Sequence, residues 1–426
     1  MRGFLHRLVR NRRVRDAVFY PLSVVAFLWR RLMFRTTFIA ITGSVGKSTA
    51  TACLGAILSE HIETNWMPGG RNSRFALMRA VLRTRFHHRF TVLETGTRAR
   101  GTLRKIARLT KPDVVLVLRV LRVHSEAFAK VEEVAVEKAQ LLSCLGKRGV
   151  AVLNADDPLV AAMAGQCQGV VRMFGKGSDC VVRASDVSST WPARLSFRLH
   201  SGDESIHVRM KLVGEHFVNS VLGAAAVALH CGVPLAKVAA ALGKVEPVPG
   251  RMQPMPLPNG AMVLRDDYHS TLPTLESALA VLREAEAARR VVILGDVLDT
   301  GLTSRPRARL AGRLISDAAD VAVFIGDLSP LWKKEAVRAG FNAERAFALP
   351  TVRDAAEFLT TELRAGDLVL LKDWSGRHIE RAILAQIGSF ACWRTRCRRM
   401  DLCDTCPELK LVPIAPATAA GGVTIL

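Results

Sequence analysis

Ile39-Ala40-Ile41-Thr42-Gly43-Ser44-Val45-Gly46-Lys47-Ser48-Thr49 is the stretch on which the reading of this chain turns. A buried-strand run, TFIAITG, meets a turn with two glycines, and TATACLGAIL then reads as a helix. That order points backbone N–H groups and the positive end of a helix dipole at an anion such as phosphate. Gly43, Ser44, Val45 and Gly46 supply the cradle, Lys47 meets the β/γ-phosphates of a nucleotide, and Ser48 or Thr49 offers a hydroxyl to Mg²⁺. The common spacing G-x4-G-K-[ST] is not met, because Ile41 stands where the first glycine belongs. The loop is the shorter T-G-x-x-G-K-S-T.

Outward from the loop, TVLETG, DVVLVLRV and GVAVLNADD read as strands, and Val131 to Leu145 reads as a helix. Such alternation predicts a parallel sheet covered by helices, with ligands at the carboxyl ends of the strands. Shorter alternating runs over 180–213 predict an antiparallel insertion. HFVNSVLGAAAVALHCG reads as a helix ended by Gly232 and Pro234. The Pro-rich stretch 246–260 reads as a linker, beyond which GAMVLRDDY, RRVVILGD, VAVFIGD and DLVLLKD predict a smaller Rossmann-like domain. The expected fold is α/β. It comprises a basic amphipathic leader (1–36), a P-loop ATP-binding domain (37–245), a Rossmann-like domain (246–390) and a Cys-rich tail (391–426).

The length of 426 residues suits two or three domains, and 49% hydrophobic with 23% charged residues excludes intrinsic disorder. The apolar run from Ala17 to Trp29 contains Pro21 and Ser23 and is shorter than the roughly 20 residues a spanning helix needs. It ends in Arg30-Arg31, unlike a signal-peptide cleavage site. The formal net charge is +22, with 46 Arg against 14 Lys, and residues 1–36 carry nine Arg and one Asp. Either an Arg-rich coding bias or attraction to an anionic surface accounts for this. The domains show no basic patch interleaved with stacking aromatics, so nucleic acid is not an expected partner. Phe19, Tyr20, Leu22, Phe27 and Trp29 among the arginines fit either an interfacial helix on anionic lipid or a core-packing helix. The expected location is cytoplasmic, with peripheral contact at the inner membrane face under the first alternative.

Four of the nine cysteines, Cys392, Cys397, Cys403 and Cys406, form a C-x4-C-x5-C-x2-C pattern. Thiolates at such spacings suit a structural Zn²⁺; an iron–sulfur cluster and unmetallated thiols remain open alternatives.

Further landmarks follow the loop in a fixed order: Leu93-Glu94-Thr95-Gly96, Lys111-Pro112-Asp113-Val114, His124-Ser125-Glu126-Ala127-Phe128, and Lys138 ten residues on. Then come Leu153-Asn154-Ala155-Asp156-Asp157, Gly250-Arg251-Met252-Gln253, Asp266-Asp267-Tyr268 and Leu294-Gly295-Asp296-Val297-Leu298. In kind, order and spacing these resemble the Mur ligase superfamily over roughly 37–390, and its D-alanyl-D-alanine-adding branch most. There are departures. Only about 36 residues precede the nucleotide strand, which implies that the family's UDP-sugar-gripping first domain is missing. Ser220 stands where a G-x-H-x-x-x-N helix has Asn, with Asn219 one position early. The turns Tyr268-His269-Ser270-Thr271-Leu272 and Lys372-Asp373-Trp374-Ser375 also differ from the family's.

The resemblance implies ATP-dependent amide formation through an acyl phosphate, with Mg²⁺ and Lys47 offsetting repulsion between carboxylate and triphosphate. It places Ser48, Glu94, His124 and Lys138 around Mg²⁺, Lys138 as a carbamate; a solvated helix lysine is the other reading of Lys138. Asn154 and Asp267 are candidate nucleotide contacts or simple turn formers. Arg251 is a phosphate contact or a surface arginine, and His216 a ligand contact or a structural histidine. The implied partners are a small-molecule, lipid-linked or polymer-linked carboxylate acceptor and an amino acid or dipeptide. A poly-glutamate-type ligase and an inactive nucleotide-binding scaffold are the alternatives.

Overall fold

A computed structural model describes residues 12–67, 69–70, 72–97, 99–123, 125–298, 301–395, 397, 399 and 401–413. Two compact units form. The first runs through Ser188 and adds Leu195–Lys211 and Glu215–Glu246; the second comprises Ser189–Arg194, Leu212–Gly214 and the chain from Pro247.

In the first unit, α1 (Arg12–Leu32) leads into β1 (Thr37–Thr42), α2 (Lys47–Ser59), β2 (Thr64–Asn65), α3 (Arg74–Arg83), β3 (Phe90–Glu94), α4 (Thr102–Thr110) and β4 (Val114–Val117). There follow α5 (Val131–Ala139), β5 (Val150–Asn154), α6 (Pro158–Ala161), β6 (Val170–Gly175), β7 (Val182–Ser188), β8 (Ser196–Ser201), β9 (Glu204–Arg209), α7 (Val218–His230) and α8 (Leu235–Lys244). One nine-stranded sheet runs β2-β3-β1-β4-β5-β6-β7-β8-β9. It is parallel through β7 and antiparallel over β7-β8-β9, as the change of pattern near residue 180 predicts. Strands β3, β4 and β5 are buried throughout, which is why they read as apolar runs without alternation.

The helix expected over 131–145 stops at Ala139. Gln140 and Leu141 donate to Glu137 O and Lys138 O, i→i−3 bonds that tighten the chain into a 3₁₀ turn at Leu142–Cys144. The leader helix α1 packs on α3 and α4 through Ala26, Arg30 and Met33. Arg30 donates to Thr110 O and Lys111 O at 2.7 Å each and to Asp113 Oδ2 at 2.9 Å, so its cation satisfies carbonyls at the C-terminus of α4. No helix among the described residues is long and apolar enough to cross a membrane.

The second unit contains β10 (Gln253–Pro256), β11 (Met262–Asp266), α9 (Leu272–Glu284), β12 (Arg289–Leu294), α10 (Ser304–Ser316), β13 (Val321–Ile325) and α11 (Ser329–Arg338). It continues with β14 (Ala346–Leu349), α12 (Val352–Glu362), β15 (Asp367–Lys372), α13 (Glu380–Leu384), β16 (Gly388–Ser389) and β17 (Val412–Pro413). Its sheet runs β10-β11-β15-β12-β13-β14 and is parallel except for β10. The stretch read as a linker thus contributes an edge strand. Pro254 and Pro256 tolerate that position because an edge leaves one side of the ladder unpaired. The fold is the expected α/β architecture.

Candidate active site

The glycine loop lies between β1 and α2. Gly46 caps α2 with φ 81°, a left-handed conformation that suits glycine, and a β-carbon there would stand 2.2 Å from Ser220 Oγ. No side chain caps the first turn of α2 and no acidic residue occupies it, so its N–H groups and dipole are open to an anion. The loop is held from below. Ser44 N donates to Arg119 O at 2.7 Å, and Ser44 Oγ accepts from Leu121 N at 2.9 Å. Lys47 Nζ donates to Gly43 O at 2.7 Å and Ser44 O at 3.3 Å. Ser48 and Thr49 are buried in the same turn.

Register brings an acid to this loop. In the parallel pair β1–β3, Ile41 stands opposite Glu94, and Thr95 N donates to Ile41 O at 2.8 Å. Glu94 is buried; Oε1 accepts from Asn72 Nδ2 at 3.1 Å and Oε2 has no partner. The buried Thr42 Oγ1 is also unpartnered. A desolvated carboxylate oxygen left unpaired is costly, and Mg²⁺, which takes hard oxygen ligands, fits it. Lys138 on α5 is 2% exposed. Burial and the charge of Lys47 hold its pKa well below the usual lysine range, against the opposing pull of Glu137. Glu137 itself is committed to structure, accepting from Gly101 N at 2.6 Å and Leu103 N at 2.8 Å at the start of α4. His124, expected as a metal ligand, lies outside the described residues.

At the end of β5, Asn154 is buried and acts as the turn former that one of its sequence readings expected. Its Oδ1 accepts from Asp156 N at 3.1 Å in a turn, while Nδ2 is left without a partner. Ser220 is buried on α7 and Asn219 Oδ1 is unpartnered, whereas His216 is exposed beside the ring of Phe217.

In the second unit, Arg251 stacks over Tyr268 at 4.8 Å, and Tyr268 N donates to Gly250 O. Asp267 is 1% exposed; Oδ2 accepts from Arg265 Nη2 at 2.9 Å and Oδ1 is unpartnered. Burial pushes its carboxyl up to about 6, Arg265 opposing and Glu380 reinforcing. Lys372 Nζ donates to Asp266 Oδ2 at 2.5 Å and His269 O at 2.7 Å, tying the two altered turns together. Asp373 is fully buried, accepts from Asp296 N at 3.1 Å, and is driven well above the carboxylate range by burial. The sequence reading singled out neither Asn72 nor Arg265. Arg265 does carry a signal, a charge inside the apolar strand MVLRD. Asn72 carries none, since its role depends on a loop folding onto Glu94.

A glycine cradle at an uncapped helix N-terminus, beside a buried acid with one unpaired oxygen and a buried lysine, defines a P-loop nucleotide-using enzyme. The chain belongs to the Mur ligase family: residues 41–228 match the Mur ligase middle domain and 250–372 the Mur ligase glutamate ligase domain. It is 33% identical over 381 residues to a UDP-N-acetylmuramoyl-tripeptide–D-alanyl-D-alanine ligase of Mycobacterium tuberculosis, covering 84% of this chain and 74% of that protein. The Escherichia coli ligase of that name is 28% identical over 278 residues, covering 65% and 61%. MurF from Acinetobacter baumannii shares the fold at a TM-score of 0.75 and 23% identity, covering 85% of this chain and 79% of its own. MurF from Thermotoga maritima, solved with ADP, does so at 0.75 and 20%, covering 86% and 83%. The protein is an ATP-dependent ligase that forms amide bonds.

Proposed function

We propose that the protein activates the terminal carboxylate of a peptide-bearing cell-wall precursor and joins a D-alanyl-D-alanine-like amine to it, working at an anionic membrane surface. A carboxylate oxygen attacks the γ-phosphorus as the bond to ADP breaks. The amine nitrogen then attacks the acyl carbon, the C–O bond to phosphate breaks, and the nitrogen loses its proton. The observation that carries this reading is the loop of Gly43, Ser44, Val45, Gly46, Lys47, Ser48 and Thr49 beside the unpaired oxygen of Glu94.

Lys47 and the N–H groups of α2 hold phosphate oxygens. Ser48, Glu94, His124 and Lys138 are the proposed Mg²⁺ ligands, and Mg²⁺ when bound supplies charge neutralisation at the β/γ-phosphates. Lys138 serves there as a carbamate, formed when its amine adds to CO₂ with loss of a proton. Burial that favours a neutral, nucleophilic amine supports this. Asn154, Arg251 and Asp267 are assigned to the nucleotide, on the support of unpartnered Asn154 Nδ2 and Asp267 Oδ1.

The membrane part rests on α1. One face packs on α3 and α4, while Tyr20, Val24, Leu28 and Leu32, at four-residue spacing, are exposed, with Tyr20 75% and Leu28 57% accessible. An apolar stripe in a segment with nine arginines fits anionic lipid headgroups.

The test is ADP release by the full chain with ATP, Mg²⁺ and D-alanyl-D-alanine, offered a UDP-linked muropeptide, a lipid-linked peptide in anionic vesicles, or poly-glutamate. The expected result is release needing both acceptor and amine, greatest with the vesicle-borne peptide, and a product heavier by the amine less water. Equal rates with the UDP-linked peptide would remove the membrane part, and turnover confined to poly-glutamate would overturn the acceptor.

A further inference from the structure

The C-terminal cysteines converge in space as well as in sequence. Cys392, Cys397, Cys403 and Cys406 line one cavity of about 10 Å³, together with His378 and Arg381. Every cysteine among the described residues is a free thiol. The loops bearing them are clasped by two buried side chains and by ion pairs nearer the surface. Arg381, 3% exposed, donates to His378 O at 3.1 Å, Cys392 O at 3.1 Å and Arg394 O at 2.9 Å. Glu380 Oε1 accepts from Cys403 N at 2.8 Å. Glu408 pairs with Arg394 at 2.8 Å and Arg399 at 2.6 Å. The apolar cluster beneath is small: Leu384, Cys403 and Leu409 are its buried members. So small a core rarely orders a segment of this length without a covalent or metal staple.

We propose that these four cysteines bind one Zn²⁺ as thiolates, and that this metal knot holds the Asp267 turn of the same unit in place. Four thiols lose four protons as the ion binds, leaving a dianionic centre that Arg381, Arg394 and Arg399 around the cavity offset. The cavity has room for about one water-sized sphere, which a single ion fits, and four thiolates at such short spacings suit tetrahedral Zn²⁺. Among the described residues the ligand atoms of His378, Glu380 and Cys403 lie within 4.8 Å of one another. The four thiols share a cavity without three of them coming that close, so the ion would draw them together. His378 is engaged at both ring nitrogens. Its Nδ1 is 3.2 Å from Glu380 Oε1 and its Nε2 3.1 Å from Arg399 O, so it acts as a brace and not as a ligand.

The link to chemistry is Asp404, inside the C-x2-C turn. Asp404 Oδ2 accepts from Arg265 Nη1 at 2.9 Å, and the other nitrogen of that fully buried guanidinium holds Asp267 at 2.9 Å. This link rests on the reading of Asp267 as a nucleotide contact.

The experiment uses the full chain, with zinc and iron counted by mass spectrometry, cobalt substitution followed by absorption, and ATP affinity by calorimetry. One zinc per chain is expected, falling at least tenfold in Cys403→Ser/Cys406→Ser but not in Cys231→Ser. Cobalt should give the intense visible bands of a tetrahedral thiolate site, a readout needing no variant. Less than a tenth of an equivalent of zinc after reconstitution, or iron with sulfide in its place, would overturn the site. Asp404→Asn should keep its zinc yet bind ATP at least threefold more weakly, as should Asp267→Asn. If Asp267→Asn weakens ATP binding and Asp404→Asn does not, the link fails. If neither does, the nucleotide reading of Asp267 fails while the zinc count judges the site alone.

Discussion

Ser220 Oγ stands directly behind Gly46, 2.2 Å from where a β-carbon on that glycine would lie. The loop therefore excludes a side chain twice, by its left-handed backbone and by the packing of α7 behind it. Gly46→Ala is expected to lower ATP affinity at least tenfold in calorimetry. Adding Ser220→Ala relieves the contact but not the roughly 1 kcal/mol backbone penalty, so recovery should be partial. Full recovery would show that the backbone conformation is unimportant.

Glu94 presents its unpartnered Oε2 at the end of β3, and an amide there is a poor ligand for a hard cation. Glu94→Gln should raise the Mg²⁺ concentration for half-maximal turnover at least tenfold and lower kcat about a hundredfold. ATP binding without Mg²⁺ should stay within twofold. Lys138→Ala should lose turnover to a similar degree and regain part of it with added acetate, as a missing carboxylate predicts. A variant indifferent to acetate and to bicarbonate would count against the carbamate.

Asp267 supplies a pH dependence whose sign is defined. Burial raises its carboxyl to about 6, above the roughly 3.9 of an unfolded chain, so the folded state holds the proton more tightly. The unfolding free energy it contributes is full below about pH 4 and falls as pH rises towards 6. Urea unfolding of wild type and Asp267→Asn at pH 4, 5, 6 and 7 should show the difference moving in favour of the variant over that interval. A constant difference would place the titration elsewhere.

The outward stripe of α1 can be altered without touching its packed face. Val24→Glu/Leu28→Glu/Leu32→Glu should reduce partitioning to phosphatidylglycerol vesicles more than tenfold, since each large apolar side chain transferred from water contributes about 1.5–3 kcal/mol. The melting temperature should change little, because these side chains are exposed. Unchanged vesicle binding would leave the stripe without a lipid role.

Much of the fold was legible because its strands announce themselves as apolar runs ending in polar turns, as β1, β3, β4 and β5 do. The edge strand β10 was not, since two prolines made it read as a linker until β11 supplied a partner. The leader gave two readings, core-packing and interfacial. A helix shows its faces only once α3 and α4 cover one of them, and here Arg30 and Met33 turn inward while Leu28 and Leu32 turn out.

The sequence by itself determined the glycine loop, the order of landmarks and the ligase family, because each depends on local spacing that survives without knowing what neighbours what. Only the tertiary structure decided which polar atoms are left unpaired and which are joined. Crossovers set β3 beside β1 and so brought Glu94 to the loop. Buried Arg265 bridges buried Asp267 and the more exposed Asp404, residues 137 positions apart in number. Burial and charge pairing are properties of neighbours in space, and strand order, which a linear pattern does not encode, assigns those neighbours.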